Sequence, residues 1–407
     1  IYVDDDAVGD SGPGDPQVSD PNEDGSTAHP YDAIQEAIDA ANSRDVIVVL
    51  DGTYTGTGNH AIHFKGMSTA LRSQNGPSNC IIDCQGQGRA FNFRAYEDSA
   101  TVLQGLTIRN GDVSSETERF IRGSGVGGAI YCEMGSRPTI RDCVFDSNRA
   151  NYGGGAIYYE LDAGPLSLVE CTFINNSAVG VGADGGAVRS LSARLTAYGC
   201  TFRGNAASWN GGAVSSYGSV MLSNCQFAGN SAQSGGGLSC AGNLTLINCV
   251  FAGNSAAESG GAVYAPFFSG RQQDAPPSRQ IEMRSCTSAA NSAVSGRSFA
   301  CRGLATQVHV DNCILWNGGS ELGTTGSGAS VAITYSDVQG GAKGEGNISL
   351  DPMFVDPSMG DYHLLPGSPC IDLGNPNYAP AAGEFDIDGQ PRVVGGRVDM
   401  GADEYLP

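Results

Sequence analysis

Lysine is almost missing from this chain: Lys65 and Lys343 stand alone, and the other 20 of the 22 basic residues are arginine. Against them are 43 acidic residues, giving a formal net charge of −21. That balance excludes nucleic acid and anionic membranes as expected partners and disfavours a polyanionic glycan over most of the surface. Tryptophan is scarce, with Trp209 and Trp316 the two available sugar platforms, and Trp316 is expected to serve the core. No apolar run is long enough to span a bilayer, so no membrane insertion is expected. Cys-x-x-Cys spacing is absent, which removes the usual zinc and redox motifs. A phosphate loop, an H-E-x-x-H and a Ser-His-Asp pattern are missing too, and no organic cofactor is expected. No signal-peptide pattern opens the sequence, which is compatible with removal of a leader before Ile1. Nothing at the end reads as a sorting tail, so a covalent or membrane anchor is not expected.

Glycine and cysteine are abundant instead, with 59 and 13 residues. Cys143, Cys171, Cys200, Cys225, Cys249, Cys286 and Cys313 recur at intervals of 24 to 29 residues, with one gap of 37. Phe145, Phe173, Phe202, Phe227 and Phe251 lie two positions on. Asn148, Asn176, Asn205, Asn230, Asn254 and Asn291 lie five on, and alanine follows at seven. A period in this range without a helical pattern signals a solenoid. Alternation before the cysteines, as at Leu244 and Leu246 or Val308 and Val310, turns one face of a strand inward. Asparagine suits a corner, because it tolerates left-handed backbone and bonds neighbouring backbone groups. Glycine pairs follow, then a third strand whose second position reads Ile130, Ile157, Val188, Val214, Leu238, Val263 and Phe299. Three strands and three corners per repeat describe one turn of a coil that buries its apolar face only against its neighbours.

These phrases resemble the repeats of right-handed β-helix surface proteins, including bacterial polymorphic outer-membrane proteins. The start, Ile1 to Asp6 with "HPYDAIQEAIDAA" at 29–41, resembles secreted bacterial members of the pectate-lyase-like superfamily. The end resembles a choice-of-anchor Q region, through "DPMFVD" at 351, "GDYHL" at 360, "GSPCIDLG" at 367, "DIDGQPR" at 386 and "VDMGADEY" at 398. The resemblance implies secretion to an extracellular or cell-surface location. The expected fold is an all-β right-handed parallel β-helix of about ten coils, with an N-terminal capping helix and an irregular C-terminal cap. Residues 1–59 read as N-terminal strand, acidic loop and capping helix, 60–344 as coils, and 345–407 as the C-terminal cap. Ile34, Ala37, Ile38 and Ala41 supply the helical spacing of the front cap, and Val46 to Leu50 read as a buried strand.

Thirteen cysteines fit an oxidising compartment. Two readings compete for the column. One is a stack of inert buried thiols. The other is intracoil disulfides, Cys132–Cys143, Cys240–Cys249 and Cys301–Cys313, with Cys80–Cys84 as a fourth pair. Asp20, Asn22 and Asp24 match the first half of a calcium loop, with Asp4, Asp5, Asp6 and Asp10 near in sequence, so structural Ca²⁺ is expected there. The ordinary alternative is a polar surface loop. Asp142 and Glu170, each one residue before a ladder cysteine, are expected to stack outward roughly 5 Å apart, the separation of the carboxylate pair in a retaining glycosidase; the ordinary alternative is a solvated polar column that continues through Asn224 and Asn248. His60, His63, Lys65 and Arg72 form the one basic cluster that could serve a lyase. The segment "PFFSGRQQDAPPSRQ" at 266–280, with Phe267 and Phe268, and the segment from Gly111 to Gly125 read as loops able to carry binding.

The first functional reading is a secreted non-catalytic solenoid acting as a structural, surface or matrix protein. Possible partners are copies of itself, in a filament or layer, and a surface glycan. The alternative is a polysaccharide lyase or glycoside hydrolase on the same fold, and no catalytic residue is assigned from the sequence.

Overall fold

The computed structural model describes residues 1–5, 22–118, 121–191, 194–266, 279–303, 306–325 and 329–406. The chain is an all-β, right-handed parallel β-solenoid of about ten turns. It divides into two compact units: residues 1–196 with 204–209 and 213–217, and residues 197–203, 210–212 and 218–407.

In the first unit one sheet runs through Val46–Val49, Ala70–Ser73, Val102–Gln104, Thr139–Arg141 and Leu166–Val169, with Tyr2–Val3 at its edge. A second contains Gly52–Tyr54, Cys80–Asp83, Thr107–Arg109, Val144–Asp146 and Thr172–Ile174. A third contains Ile62–His63, Phe91–Phe93, Ile130–Cys132, Ile157–Tyr159, Val188–Ser190 and Val214–Ser216. Every named pairing here is parallel and in register: Ile130, Ile157, Val188 and Val214 face one another along the third sheet, all fully buried. In the second unit Leu238, Val263 and Phe299 form the same column. Phenylalanines stack beneath, Phe145 on Phe173 at 4.8 Å in the first unit and Phe202, Phe227 and Phe251 at successive 4.6 Å centroid distances in the second.

The asparagines differ from expectation: they are buried, and their own backbone is not left-handed. Left-handed residues occupy two other columns. One precedes the cysteine: Asp142 (φ 51°), Glu170 (53°), Gly199 (63°), Asn224 (52°), Asn248 (51°), Ser285 (50°) and Asn312 (54°). The other precedes the ladder asparagine, as at Ser147 (φ 56°), Asn175 (54°) and Gly204 (65°). Glycine, Asn and Asp recur there because they enter this region at least cost. The ladder asparagine is thereby turned inward, where its amide does the corner's hydrogen bonding. Asn148 donates from both its backbone N and Nδ2 to Asn176 Oδ1, each at 3.0 Å, and from Nδ2 to the Ile108 carbonyl. In the second unit Asn230, Asn254, Asn291 and Asn317 repeat the pattern. Glu321 closes that row, accepting from Asn317 Nδ2 at 2.6 Å and from its backbone N at 2.9 Å.

The front helix spans Ile34–Ala40, with Ile34, Ala37 and Ile38 buried as its spacing requires. Its first N–H groups are met from outside the helix, Ile34 N by Asn59 Oδ1 and Gln35 N by the Gly58 carbonyl. In the second unit the motifs near the end of the chain are a hydrogen-bonded knot. Asp386 accepts from the backbone N of Asp388, Gln390 and Glu404. Glu404 accepts from Val394 and Asp399, and Asp399 from Asp372 and Tyr405. Arg392, fully buried, donates to the Asp399 and Gly401 carbonyls and lies 3.8 Å from Glu404. This segment covers part of the polar column expected to be solvated. Asn224 Nδ2 donates to the Phe385 and Asp386 carbonyls, Asn248 Nδ2 to Phe385 at 2.6 Å, and Asn312 Oδ1 accepts from Asn375 N. Asp142 and Glu170, in the first unit, do remain exposed.

All thirteen cysteines are buried thiols outside any disulfide, so the bridges Cys132–Cys143, Cys240–Cys249, Cys301–Cys313 and Cys80–Cys84 are not formed in this structure. The members of one pair instead serve different carbonyls. Cys240 Sγ faces the Gly218, Gly242 and Asn243 oxygens, whereas Cys249 Sγ faces those of Leu222 and Ile247. Cys313 Sγ turns toward Met283 and Asp311. Burial pushes the Cys143 and Cys240 thiols up to about 12, which keeps them protonated and unreactive.

Replacing Phe227 by Ala is expected to cost about 3–5 kcal/mol in chemical denaturation, since it removes the middle ring of a stack. Asn254→Ala is expected to cost about 1–3 kcal/mol for each backbone group it orphans, including the Asn230 N–H and the Phe227 carbonyl. Thiol titration should find no reactive cysteine in the native protein and thirteen after unfolding without reductant; a lower count in denaturant would show that bridges form.

Candidate functional site: an arginine–tyrosine cleft on the third sheet

Strand alternation that sends Ile130 and Ile157 inward sends their successors out. The resulting row in the first unit, in register, is Asn92, Tyr131, Tyr158, Arg189 and Ser215. The chain from Gly111 onward, expected to be a loop, returns here, and Ile121 to Ser124 and Val126 join Tyr152, Tyr158, Glu160 and Arg189 around a cleft of about 230 Å³. That is below the roughly 300–1,000 Å³ of drug-sized sites, so it suits one unit of a longer ligand.

Tyr131 and Tyr158 stack at 6.1 Å and pack with Val126. Guanidinium groups lie over these rings: Arg89 and Arg94 at 5.3 and 5.5 Å from Tyr131, and Arg189 at 5.8 Å from Tyr158 and 5.7 Å from Tyr217. Each guanidinium is also tied to oxygen. Arg94 Nε meets Glu133 Oε1 at 2.5 Å, and Arg122 Nη1 meets Glu133 at 3.1 Å and Asp162 at 2.8 Å. Arg189 meets Asp184 at 3.2 Å and donates to the Tyr152 carbonyl at 2.7 Å. Arg89 donates to the Gly123 and Gly127 carbonyls and lies 4.0 Å from Glu116. Tyr131 donates its hydroxyl to Glu133 at 2.9 Å.

Burial pushes the Tyr158 hydroxyl up to about 12, so the ring stays neutral. Two carboxyls near the rim diverge. Burial raises Glu160. Burial would raise Asp162 as well, but hydrogen bonds from Arg122 and the Met134 amide outweigh it and hold Asp162 low.

The sequence pointed to the Gly111–Gly125 loop but not to the arginines and tyrosines beneath it. The available signal was the repeated phrase Ile130-Tyr131-Cys132-Glu133 and Ile157-Tyr158-Tyr159-Glu160. The basic cluster at the front is divided between two sheets. Lys65 is paired with Asp39 at 2.7 Å, His63 lies in the third sheet, and Arg72 lies in the first. Burial, then Arg94, lowers the His63 pKa. Asp20, Phe267 and Phe268, with Asp6 and Asp10, lie outside the described residues. Asp24 accepts from Ser26 N at 2.9 Å, and Asn22 lies in the same turn region, so calcium at these residues is untouched by the geometry. Asp5 accepts from Thr53 N. Trp209 is exposed, while Trp316 packs against Ile314, Leu364, Cys370 and Met400.

In the second unit His363, Asp388 and Asp403 present ligand atoms within 4.8 Å of one another. Both imidazole nitrogens are already engaged, Nδ1 with Asp361 at 2.5 Å and Nε2 with Asp388 at 2.6 Å, which makes this a staple within the terminal knot.

A family model described as the right handed beta helix region matches residues 31–192 and 185–338. The chain belongs to that family. No curated protein matches it. Among solved structures it is similar to pectate lyase Pel9A, at 15% identity and a TM-score of 0.60, covering 100% of this chain and 97% of that one. Weaker likenesses are the catalytic unit of a GH87 α-1,3-glucanase from Streptomyces thermodiastaticus (16% identity, TM-score 0.43, 82% of this chain and 66% of that one) and a rhamnogalacturonan lyase (13%, 0.42, 87% and 90%). At such identities the first likeness speaks for the fold alone, and the other two carry no argument.

Burial would lower His363, but the hydrogen bonds its ring gives to the Asp361 and Asp388 carboxylates outweigh it and raise its pKa from 6.5 to about 9. A raised folded-state pKa means its stabilisation is complete below about pH 6.5 and is lost as pH rises through about 9. Thermal melts across that range should show the decline in the wild type and a flatter profile in His363→Gln.

Proposed function

We propose that this chain is a secreted, non-catalytic β-solenoid, a structural or surface protein whose first unit contacts a neutral glycan through the arginine–tyrosine cleft. The observation that carries the reading is the pairing of the cleft's guanidinium groups: Arg122 sits in ion pairs with Glu133 and Asp162, and Arg189 with Asp184, while Arg94 beside them is paired with Glu133. A lyase needs a base and uncompensated cations to stabilise a developing enolate. Paired guanidinium and carboxylate groups beside tyrosine faces suit sugar hydroxyls, which need fixed donors and acceptors at once. Net charge of −21 also favours a neutral ligand over a polyanion. Self-association belongs to the same reading. It is opposed by that charge at low salt and favoured where salt or calcium screens it.

One observation favours the enzyme reading. Glu160 and Asp162, two residues apart, are pushed in opposite directions, as an acid and a base in a glycosidase would be.

A glycan array, followed by product assays on each hit, separates the two. Binding to a neutral glycan is expected, weakened about tenfold in Arg122→Ala by loss of a charged donor, with no reducing ends or unsaturated uronate released. Released product that disappears in Glu160→Gln would replace the scaffold with a hydrolase.

A further inference from the structure

At the front of the first unit three carboxylates converge. Glu23 comes from the turn region before Tyr31, Asp32 from the residue pair before the helix Ile34–Ala40, and Glu36 from within that helix. One oxygen from each lies within 4.8 Å of the others. A surface cluster of acids alone would mean little, since exposed carboxylates turn to water. Asp32 does not have that escape: both its carboxylate oxygens are buried, and among the described residues neither has a hydrogen-bond partner. A buried carboxylate left so costs several kcal/mol unless it is paired or neutralised. The nearby ammonium of Lys65 is taken by Asp39 at 2.7 Å.

We propose that Glu23, Asp32 and Glu36 form a binding site for a hard divalent cation, calcium in the first place, that fastens the loop before the helix onto the helix. The donor set is oxygen only, which excludes the softer transition metals as natural occupants. Three carboxylates from separate positions, with water completing the shell, match the irregular coordination that calcium accepts and magnesium resists. A shared proton between Asp32 and Glu36 is the competing way to relieve the repulsion. A proton bridges two oxygens, whereas a cation is within reach of one oxygen from each of the three residues. The site differs from the one expected from the sequence, since Asp24 spends an oxygen on Ser26 N. It is independent of the glycan reading.

The test uses the whole chain, stripped with chelator and titrated with calcium chloride by calorimetry and thermal melts. One binding event is expected, with the melting temperature raised by about 3 °C when calcium exceeds its dissociation constant about a hundredfold. Asp32→Asn and Glu36→Gln should each lose most of that shift. Glu36 is exposed on the helix, so its variant should fold even if the Asp32 variant does not. Magnesium chloride should give a smaller shift at equal concentration. No calcium heat and no shift would overturn the site and leave proton sharing; an unchanged shift in a folded Glu36→Gln would place the calcium elsewhere, and an equal magnesium shift would overturn the choice of metal.

Discussion

The interior row of asparagines is the interaction on which the coils depend. A parallel coil must turn a corner every few residues, and each corner removes backbone groups from the ladders while keeping them from water. An unpaired group of that kind costs about 1–3 kcal/mol. One asparagine per coil answers the need. Its oxygen takes a backbone N–H and an amide N–H, and its nitrogen divides between the next amide and a backbone carbonyl. Its reach also fixes the register, because the side chain bonds only if successive coils are aligned. The phenylalanine stacks and the valine and isoleucine columns follow from that alignment. Left-handed residues at Ser147, Asn175 and Gly204 aim the asparagine inward, so the two columns form one device.

A solenoid built this way has a core set by inward positions and is free to vary outside. The third sheet uses that freedom in the first unit, where Tyr131, Tyr158 and Arg189 occupy successive outward positions and a long loop closes over them. Tyrosine and arginine cover each other's apolar faces, and the carboxylates beneath the arginines keep the charge balanced. The cleft is therefore heavily cross-bonded and its charges are paired, on a chain of strongly negative charge. Those two properties, more than any likeness to lyases, shape the functional reading.

The terminal segment shows a different use of charge. Asp386, Asp399 and Glu404 are buried, and each is satisfied by backbone N–H groups, so carboxylates here replace sheet as the organiser of irregular chain. Arg392 is threaded through them. Strings such as "DIDGQPR" and "VDMGADEY", which carry the resemblance at the end of the sequence, are largely consumed by this internal bonding.

The sequence by itself determined the coil: its period, its inward columns and the spacing of the front helix are all written in residue type, since burial against a neighbour tolerates few side chains. It also carried the loop from Gly111. What only the tertiary structure decided were relations between coils. The ladder faced inward because the left-handed turn precedes it, a fact of backbone torsion that the asparagines alone do not reveal. Cys240 and Cys249 stand apart, each Sγ against carbonyls of its own, whereas spacing along the chain left a bridge equally open. Tyr131, Tyr158 and Arg189 met because parallel stacking brings residues tens of positions apart to successive rungs. Asp32 and Glu23 met because the loop folds back before the helix. Local pattern sets the rung, and long-range packing sets which side chains share a face.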